Sequence, residues 1–496
     1  MAKQSSSGLR PEGLSSRILK YTAVFGSVQG VAMLCTLVLN KVKAKLLGSA
    51  GFGLAEGFNR STELVRSSTG LGVGSTAVQQ VSLYSDSPEE LDSMVLVTRS
   101  WALLTAMVGM LLCLVLSGAL SRWAFKDDSS FAPQFMMMSL SVAASAVSGG
   151  EMAILKGTGR LRHVALSQLF AAVFSLLLSV PLYWLLGLDG VAPALALSAL
   201  GTLAVTCFFS FKAFPYTARP FSGAVLKRGF GMIGFGIFFT IAAFLSSWAW
   251  SFLARYLYVH GGEELTGTYS AGWMLVTYMT TLLLTVNDSE YYPRLSAASG
   301  NQMEMNRIAA CQSQTMLMLA SPLVMAFIVG MPLVVLVVLD SVKFSESVAL
   351  AQLAVIGLLF KSAYQPVAYM ALAKLDGKIY VAQELACYLM LIGCVLPGYS
   401  LGGLTGVGLG LAVWELLYLV MILIVAGLRF RFVPPVPLVR RFVIQLALTC
   451  VCVAGCVVVR GAIGYAVGGA AMVASALYSF VFLRRNGGLT FFRKSN

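Results

Sequence analysis

The chain has 496 residues, 58% of them hydrophobic, a mean hydropathy of +0.81 and only 11% charged residues. A soluble domain carries about 25% charged residues, so a water-facing surface over most of the chain is excluded, and the composition points to an integral membrane protein. The net charge of +14 would suggest nucleic acid in a soluble protein. Here the basic residues sit between apolar runs, where topology and anionic headgroups account for them.

The first residues are polar and basic, and no short apolar run with a small-residue cleavage site follows. Residues 1–17 therefore read as a cytoplasmic tail. Apolar stretches of about 20 residues then repeat to the end, each long enough to span hydrocarbon. They fall near 18–40, 52–82, 94–117, 131–155, 163–187, 190–211, 229–258, 266–292, 310–339, 347–373, 378–399, 404–428, 438–459 and 462–483. The expected fold class is all-α, with about 14 transmembrane helices.

Two breaks organise these stretches. KAFPYTARPFSGAVLKR (212–228) combines two prolines with aromatic and basic residues and separates an N-lobe of six spans (18–211) from a C-lobe of six (229–428). RFRFVPPVPLVRR (429–441) is a second cytoplasmic break, followed by two more spans within 438–483 and a tail at 484–496. Lys and Arg are biased roughly three to one toward segments on the side of the N-terminus, which places both termini in the cytoplasm. Lys41, Lys43 and Lys45 are the exception: if the first span ends near residue 40, they lie outside, at headgroup level or at a cavity mouth.

KAKLLGSAGFGLAEGF, at the join of the first two spans, has an echo in ARYLYVHGGEELTGTYSAGWML (254–275), at the join of the seventh and eighth. Six spans per half leave both halves in one orientation, as in a parallel repeat.

Enzyme chemistry has little footing. There is no GxxxxGK[ST] loop, His163 and His260 are far apart in sequence, and no Cys-x-x-Cys pair occurs. The clusters GLGVG (70–74) and GVGLG (406–410) fit close helix packing.

Ionisable residues inside spans are the informative set, because each costs about 2.5–3.5 kcal/mol at a helix centre. In the second span Glu56, Asn59, Arg60, Glu63 and Arg66 share an arc of roughly 120° with Ser67, Gly70 and Gly74, and Leu54, Phe58 and Val65 point the other way. Two readings stand. Glu56–Arg60 and Glu63–Arg66 neutralise each other as helical pairs, or the stripe lines a cavity as a substrate or coupling site. The second is favoured, because packing alone needs no charges there. Further embedded charges are Arg99, Glu151, Arg255, Asp288, Glu290, Lys361, Glu384 and Glu415. Arg255 and Lys361 suit an anionic headgroup, since Arg forks onto phosphate oxygens; Arg255, near a span end, also suits snorkelling. Glu384 and Glu415 suit a proton or cation.

Three stretches carry a family resemblance: GSAGFGLAEGFNRSTELVRSSTGLGVGS (48–75), GTYSAGWMLVTYMTTLLLTVNDSEYYPRLS (267–296) and LLFKSAYQPVAYMALAKLDGKIYVAQE (358–384). They resemble the second-, eighth- and tenth-helix patterns of Wzx-type polysaccharide flippases in the multidrug/oligosaccharidyl-lipid/polysaccharide (MOP) exporter superfamily, close to O-antigen and common-antigen translocases. The resemblance implies a V-shaped pair of six-helix lobes around a cationic cavity, in the bacterial inner membrane. It implies an undecaprenyl-diphosphate-linked oligosaccharide as substrate, moved to the periplasmic leaflet by alternating access, and no enzymatic step. It places Arg60, Arg66, Arg255 and Lys361 as candidates for the diphosphate. Glu56, Asn59, Glu63, Asp288, Glu384 and Glu415 become cavity or coupling candidates, and Lys41, Lys43 and Lys45 mouth candidates. No cofactor is implied beyond a coupling H+ or Na+. The bilayer and a downstream polymerase or ligase are the implied partners, and a monomer is expected. Two Glu beside two Arg make this second helix more charged than the family pattern. The alternative is an H+- or Na+-coupled organic-cation antiporter of the same superfamily.

Overall fold

A computed structural model describes residues 11–84, 87–215, 223–339, 344–374, 376–459 and 461–485. Every regular element among them is helical. The α-helices are α1 (Pro11–Thr69), α2 (Val73–Leu83), α3 (Pro88–Val115), α4 (Ser117–Ala124), α5 (Ala132–Gly157), α6 (Leu161–Leu186), α7 (Val191–Ala213) and α8 (Gly223–Ala297). They continue with α9 (Gln302–Val338), α10 (Ser345–Ala354), α11 (Ile356–Ala373), α12 (Gly377–Phe430), α13 (Val436–Val453) and α14 (Gly461–Arg485).

Three of these helices are broken in two by glycine. Gly48 in α1 (φ 63°), Gly262 in α8 (φ 73°) and Gly403 in α12 (φ 55°) hold left-handed backbone that costs other residues strain. With those arms counted separately, α2 joined to the second arm of α1, α10 joined to α11 and the short α4 set aside, the described helices form fourteen span-length stretches. Their limits follow the apolar runs closely. Some helices overrun their runs: α9 begins at Gln302, eight residues before its run, and the first arm begins at Pro11 and runs on to Leu47, because nothing between residues 40 and 47 breaks a helix. Lys41, Lys43 and Lys45 are therefore helical. The basic ends of the 212–228 stretch are helical as well: α7 includes Lys212, and α8 includes Lys227 and Arg228.

Positive-φ glycines recur at similar spacing in the two halves of the chain. Gly48 and Gly262 join the first and last pairs of spans compared above, at the two turns whose sequences echo each other. Gly187 (φ 58°) joins α6 to α7 and follows Gly48 by 139 residues; Gly403 follows Gly262 by 141.

The chain divides into two compact units, one of residues 1–47 and 57–243, the other of 48–56 and 244–496. In the first, α5 packs against α2, α3 and α7, and α6 lies on α7. Its core includes Val81, Met94, Val97, Trp101 and Ala153. A second cluster joins Phe58 of α1 edge-on to Phe125 and Phe135, with ring centroids 5.1 Å away in each case. In the second unit α11 packs against α9 and α12, while α13 and α14 lie on α9. There the fully buried Gln445 donates to Ser479 Oγ (3.1 Å) and accepts from Ser475 Oγ (2.7 Å). Such satisfied amide–hydroxyl contacts hold helices together where lipid supplies no hydrophobic drive.

Candidate functional site

The second arm of α1 is amphipathic in an unusual sense. Leu54, Phe58 and Val65 are buried in protein, and Asn59 and Arg66 on the opposite face are exposed. The apolar face is core, because Phe58 docks into its phenylalanine cluster. The polar face is the open one. On it Arg66 holds Glu63 at two points, Nε to Oε2 at 2.7 Å and Nη2 to Oε1 at 2.5 Å. Glu56 accepts a hydrogen bond from Ser270 Oγ of α8 at 2.9 Å. Arg60 is half-buried on the same face. Ser67, placed on this stripe by its spacing, is buried and donates to the Leu64 carbonyl at 3.0 Å.

Glu56 closes a short stretch, Gly48–Glu56, that belongs to the second unit. It packs there on the start of the second arm of α8. A Cβ on Gly53 would strike the Glu263 carbonyl, and a Cβ on Gly267 would strike the carbonyl of Ser49. Two glycines thus let two helices meet backbone to backbone. Phe52 rests edge-on against Phe344 at 5.6 Å. These contacts fall on the two turns that echo in sequence and on the first two of the three family-like stretches.

The charges of α11 and α12 converge. Lys361 Nζ lies 3.8 Å from Glu415 Oε1. The Tyr364 hydroxyl, one turn along α11, donates to Glu415 Oε2 at 2.6 Å. Glu384, on the first arm of α12, lies within electrostatic reach of Lys361 and Tyr388. Tyr364 and Tyr418 meet edge-on at 4.9 Å, and the Trp414 indole donates to the Cys387 carbonyl at 2.8 Å. A close helix approach permits this: a Cβ on Gly357 would lie 2.9 Å from Glu415 Cγ.

Three of the sequence candidates, Lys361, Glu384 and Glu415, thus gather in one cluster. Arg255 is half-buried on the first arm of α8. Lys41 and Lys45 are exposed one turn apart and Lys43 is half-buried, so the trio spreads over more than one helix face. The side chains of Asp288 and Glu290 lie outside the described residues. Arg99 and Glu151 close on each other inside the first unit. The hydroxyls of Tyr364, Tyr388 and Ser270 were not foreseen. Tyr364 and Tyr388 stand three and four residues from Lys361 and Glu384, a spacing that could have revealed them; Ser270 has no local signal.

The family described as polysaccharide biosynthesis proteins matches residues 18–299, more than half of the chain. No curated protein matches it. Among solved structures, the lipid II flippase MurJ in an inward closed conformation superposes with a TM-score of 0.67 at 14% identity, covering 93% of this chain and 99% of that one. An inward-facing multidrug-resistance MATE transporter of the MOP superfamily gives 0.65 at 17%, covering 81% and 94%. A MOP-superfamily transporter from Pyrococcus furiosus, described as having a binding pocket of reversed polarity, gives 0.61 at 16%, covering 86% and 99%. At such identities the likeness is one of fold. The match over 18–299 carries the assignment: this chain belongs to the polysaccharide biosynthesis protein family, as a multi-pass membrane protein with the fold of the MOP exporters.

Proposed function

We infer that the protein is a flippase, which carries an undecaprenyl-diphosphate-linked oligosaccharide from the cytoplasmic to the periplasmic leaflet of the inner membrane by alternating access, with both termini cytoplasmic. The observation that carries this reading is the open polar face of α1. Arg60, Glu63 and Arg66 stand on a helix whose other face is buried, and charges of that kind at membrane depth require water or a polar ligand. A diphosphate suits the forked guanidinium of Arg66, which would exchange Glu63 for phosphate oxygens. Lipid-linked saccharides are also the substrate class that the family assignment favours.

Deletion of the gene tests the reading. Lipid-linked oligosaccharide should accumulate on the cytoplasmic leaflet and surface glycan should fall. If both stay unchanged, the protein is no flippase for that glycan. In complementation, Arg60→Ala and Lys361→Ala should insert and fail to restore glycan; full activity in both would remove these residues from the site.

One observation favours an organic-cation antiporter instead. The cluster around Lys361 holds two carboxylates for one ammonium. On that reading, cells expressing the protein export a fluorescent organic cation and Glu384→Gln abolishes the export.

A further inference from the structure

The cluster on α11 and α12 has the donor set of a site for a hard cation: two carboxylates and several phenol oxygens in apolar surroundings. Lys361 reaches Glu415 at 3.8 Å, and Glu415 also accepts from Tyr364 at 2.6 Å. Glu384, on the first arm of α12, lies within electrostatic reach of the same ammonium and of Tyr388. Tyr380, Tyr418 and Cys387 are further titratable groups within electrostatic reach of these carboxylates. Lys361 is the more accessible partner, its side chain 30% exposed against 9% for Glu415. Among the described residues, no three His, Cys, Asp or Glu side chains converge on a metal position.

We propose that Lys361 is a tethered cation whose ammonium stands where a coupling Na+ would bind, so that the cluster excludes Na+ and exchanges only a proton. A second cation about 4 Å from the ammonium would be disfavoured roughly a thousand-fold in a partly buried setting. One ammonium and two carboxylates leave one negative charge, and a single proton cancels it. Glu384 carries that proton, because Glu415 is already held by both Lys361 and Tyr364. The consequence for transport rests on the transporter reading above. The test does not, because it reads ion binding with no saccharide present.

The measurement is thermal unfolding of the purified full-length protein in NaCl against equimolar choline chloride at alkaline pH. The wild type should show no Na+-specific shift. Lys361→Met, which keeps the length and removes the charge, should gain a Na+-specific rise of several degrees, and Lys361→Met/Glu384→Gln should lose it again. A Na+-specific shift in the wild type, or none in Lys361→Met, overturns the proposal. If Lys361→Met does not fold, equilibrium binding of radioactive Na+ to the wild type decides alone. Binding above that of Glu384→Gln/Glu415→Gln overturns the proposal, and no binding supports it. Failure here leaves the flippase reading intact, and failed complementation there leaves this one intact.

Discussion

Arg99 of α3 and Glu151 of α5 form a two-point ion pair, Nε to Oε1 at 2.8 Å and Nη2 to Oε2 at 3.2 Å, with both side chains about 95% buried. Nothing in the pair is left unsatisfied by design of its surroundings. Ser210 Oγ donates to Glu151 at 2.5 Å, and the guanidinium also donates to the carbonyls of Phe214 (2.9 Å) and Pro215 (3.3 Å). The end of α7 and the chain that follows are thereby fastened to α3 and α5. Removing one partner strands the other charge, at a cost of about 3–5 kcal/mol. Arg99→Ala and Glu151→Ala should each lower the unfolding midpoint sharply, and Arg99→Leu/Glu151→Leu should recover much of the loss. A thiol-reactive dye reads the transition, since buried cysteines such as Cys113 become accessible on unfolding. A single variant as stable as the wild type would contradict this account.

Tyr291 ties two of the family-like stretches together. Its buried hydroxyl donates to the Pro366 carbonyl at 2.5 Å, and its ring lies 6.3 Å from that of Tyr369. Tyr291→Phe keeps the ring and removes the hydrogen bond between the helices, which should cost about 0.5–1.5 kcal/mol. The same unfolding assay should show a midpoint drop without loss of membrane insertion. An unchanged midpoint would mean that the bond adds nothing net to stability.

The spans were legible because each is a local apolar run, and the turns were legible because glycine marks left-handed backbone: Gly48, Gly262 and Gly403 sit where the runs divide. The polar arc of α1 could also be read, since Glu56 to Arg66 lie within three turns of one helix. Which face is core could not. Phe58 is buried because Phe125 and Phe135, more than sixty residues away, receive it. The partnership of Lys361 with Glu415 was hidden for the same reason: the helices that bring them together are joined through a long hairpin. That the helix carries on through the lysine trio was not evident from composition, because a change in composition near residue 40 is not a helix breaker.

Gly53 and Gly267 test the backbone contact near Glu56. A side chain at either position would meet a backbone carbonyl, of Glu263 or of Ser49. Backbone cannot swing aside as a flexible side chain does, so Gly267→Ala should cost about 1–3 kcal/mol through forced separation of the helices. Gly267→Leu should do more harm than Gly267→Ala, as both the unfolding midpoint and surface glycan in complementation would register. Gly149, whose Cβ would enter open space, is the control: Gly149→Ala should leave both unchanged or improved. Equal effects at Gly149 and Gly267 would mean that helix propensity, not close approach, sets the outcome.

Glu63 and Arg66 decide between a pair that only neutralises itself and a pair that meets substrate. Their side chains are 39% and 45% exposed, so the bond between them contributes at most about 1 kcal/mol to stability, and neither single substitution should disturb folding. Function separates the readings. If the pair exists only to cancel charge, Glu63→Gln and Arg66→Gln each leave an uncompensated charge and harm transport, while Glu63→Gln/Arg66→Gln removes the problem and restores it. If Arg66 holds a diphosphate, Arg66→Gln and the double variant both fail, and Glu63→Gln alone keeps activity or raises apparent substrate affinity, because the guanidinium no longer has to be won from a carboxylate. The expected outcome is the second pattern. Surface glycan in complemented cells, measured beside the amount of inserted protein, distinguishes it from the first.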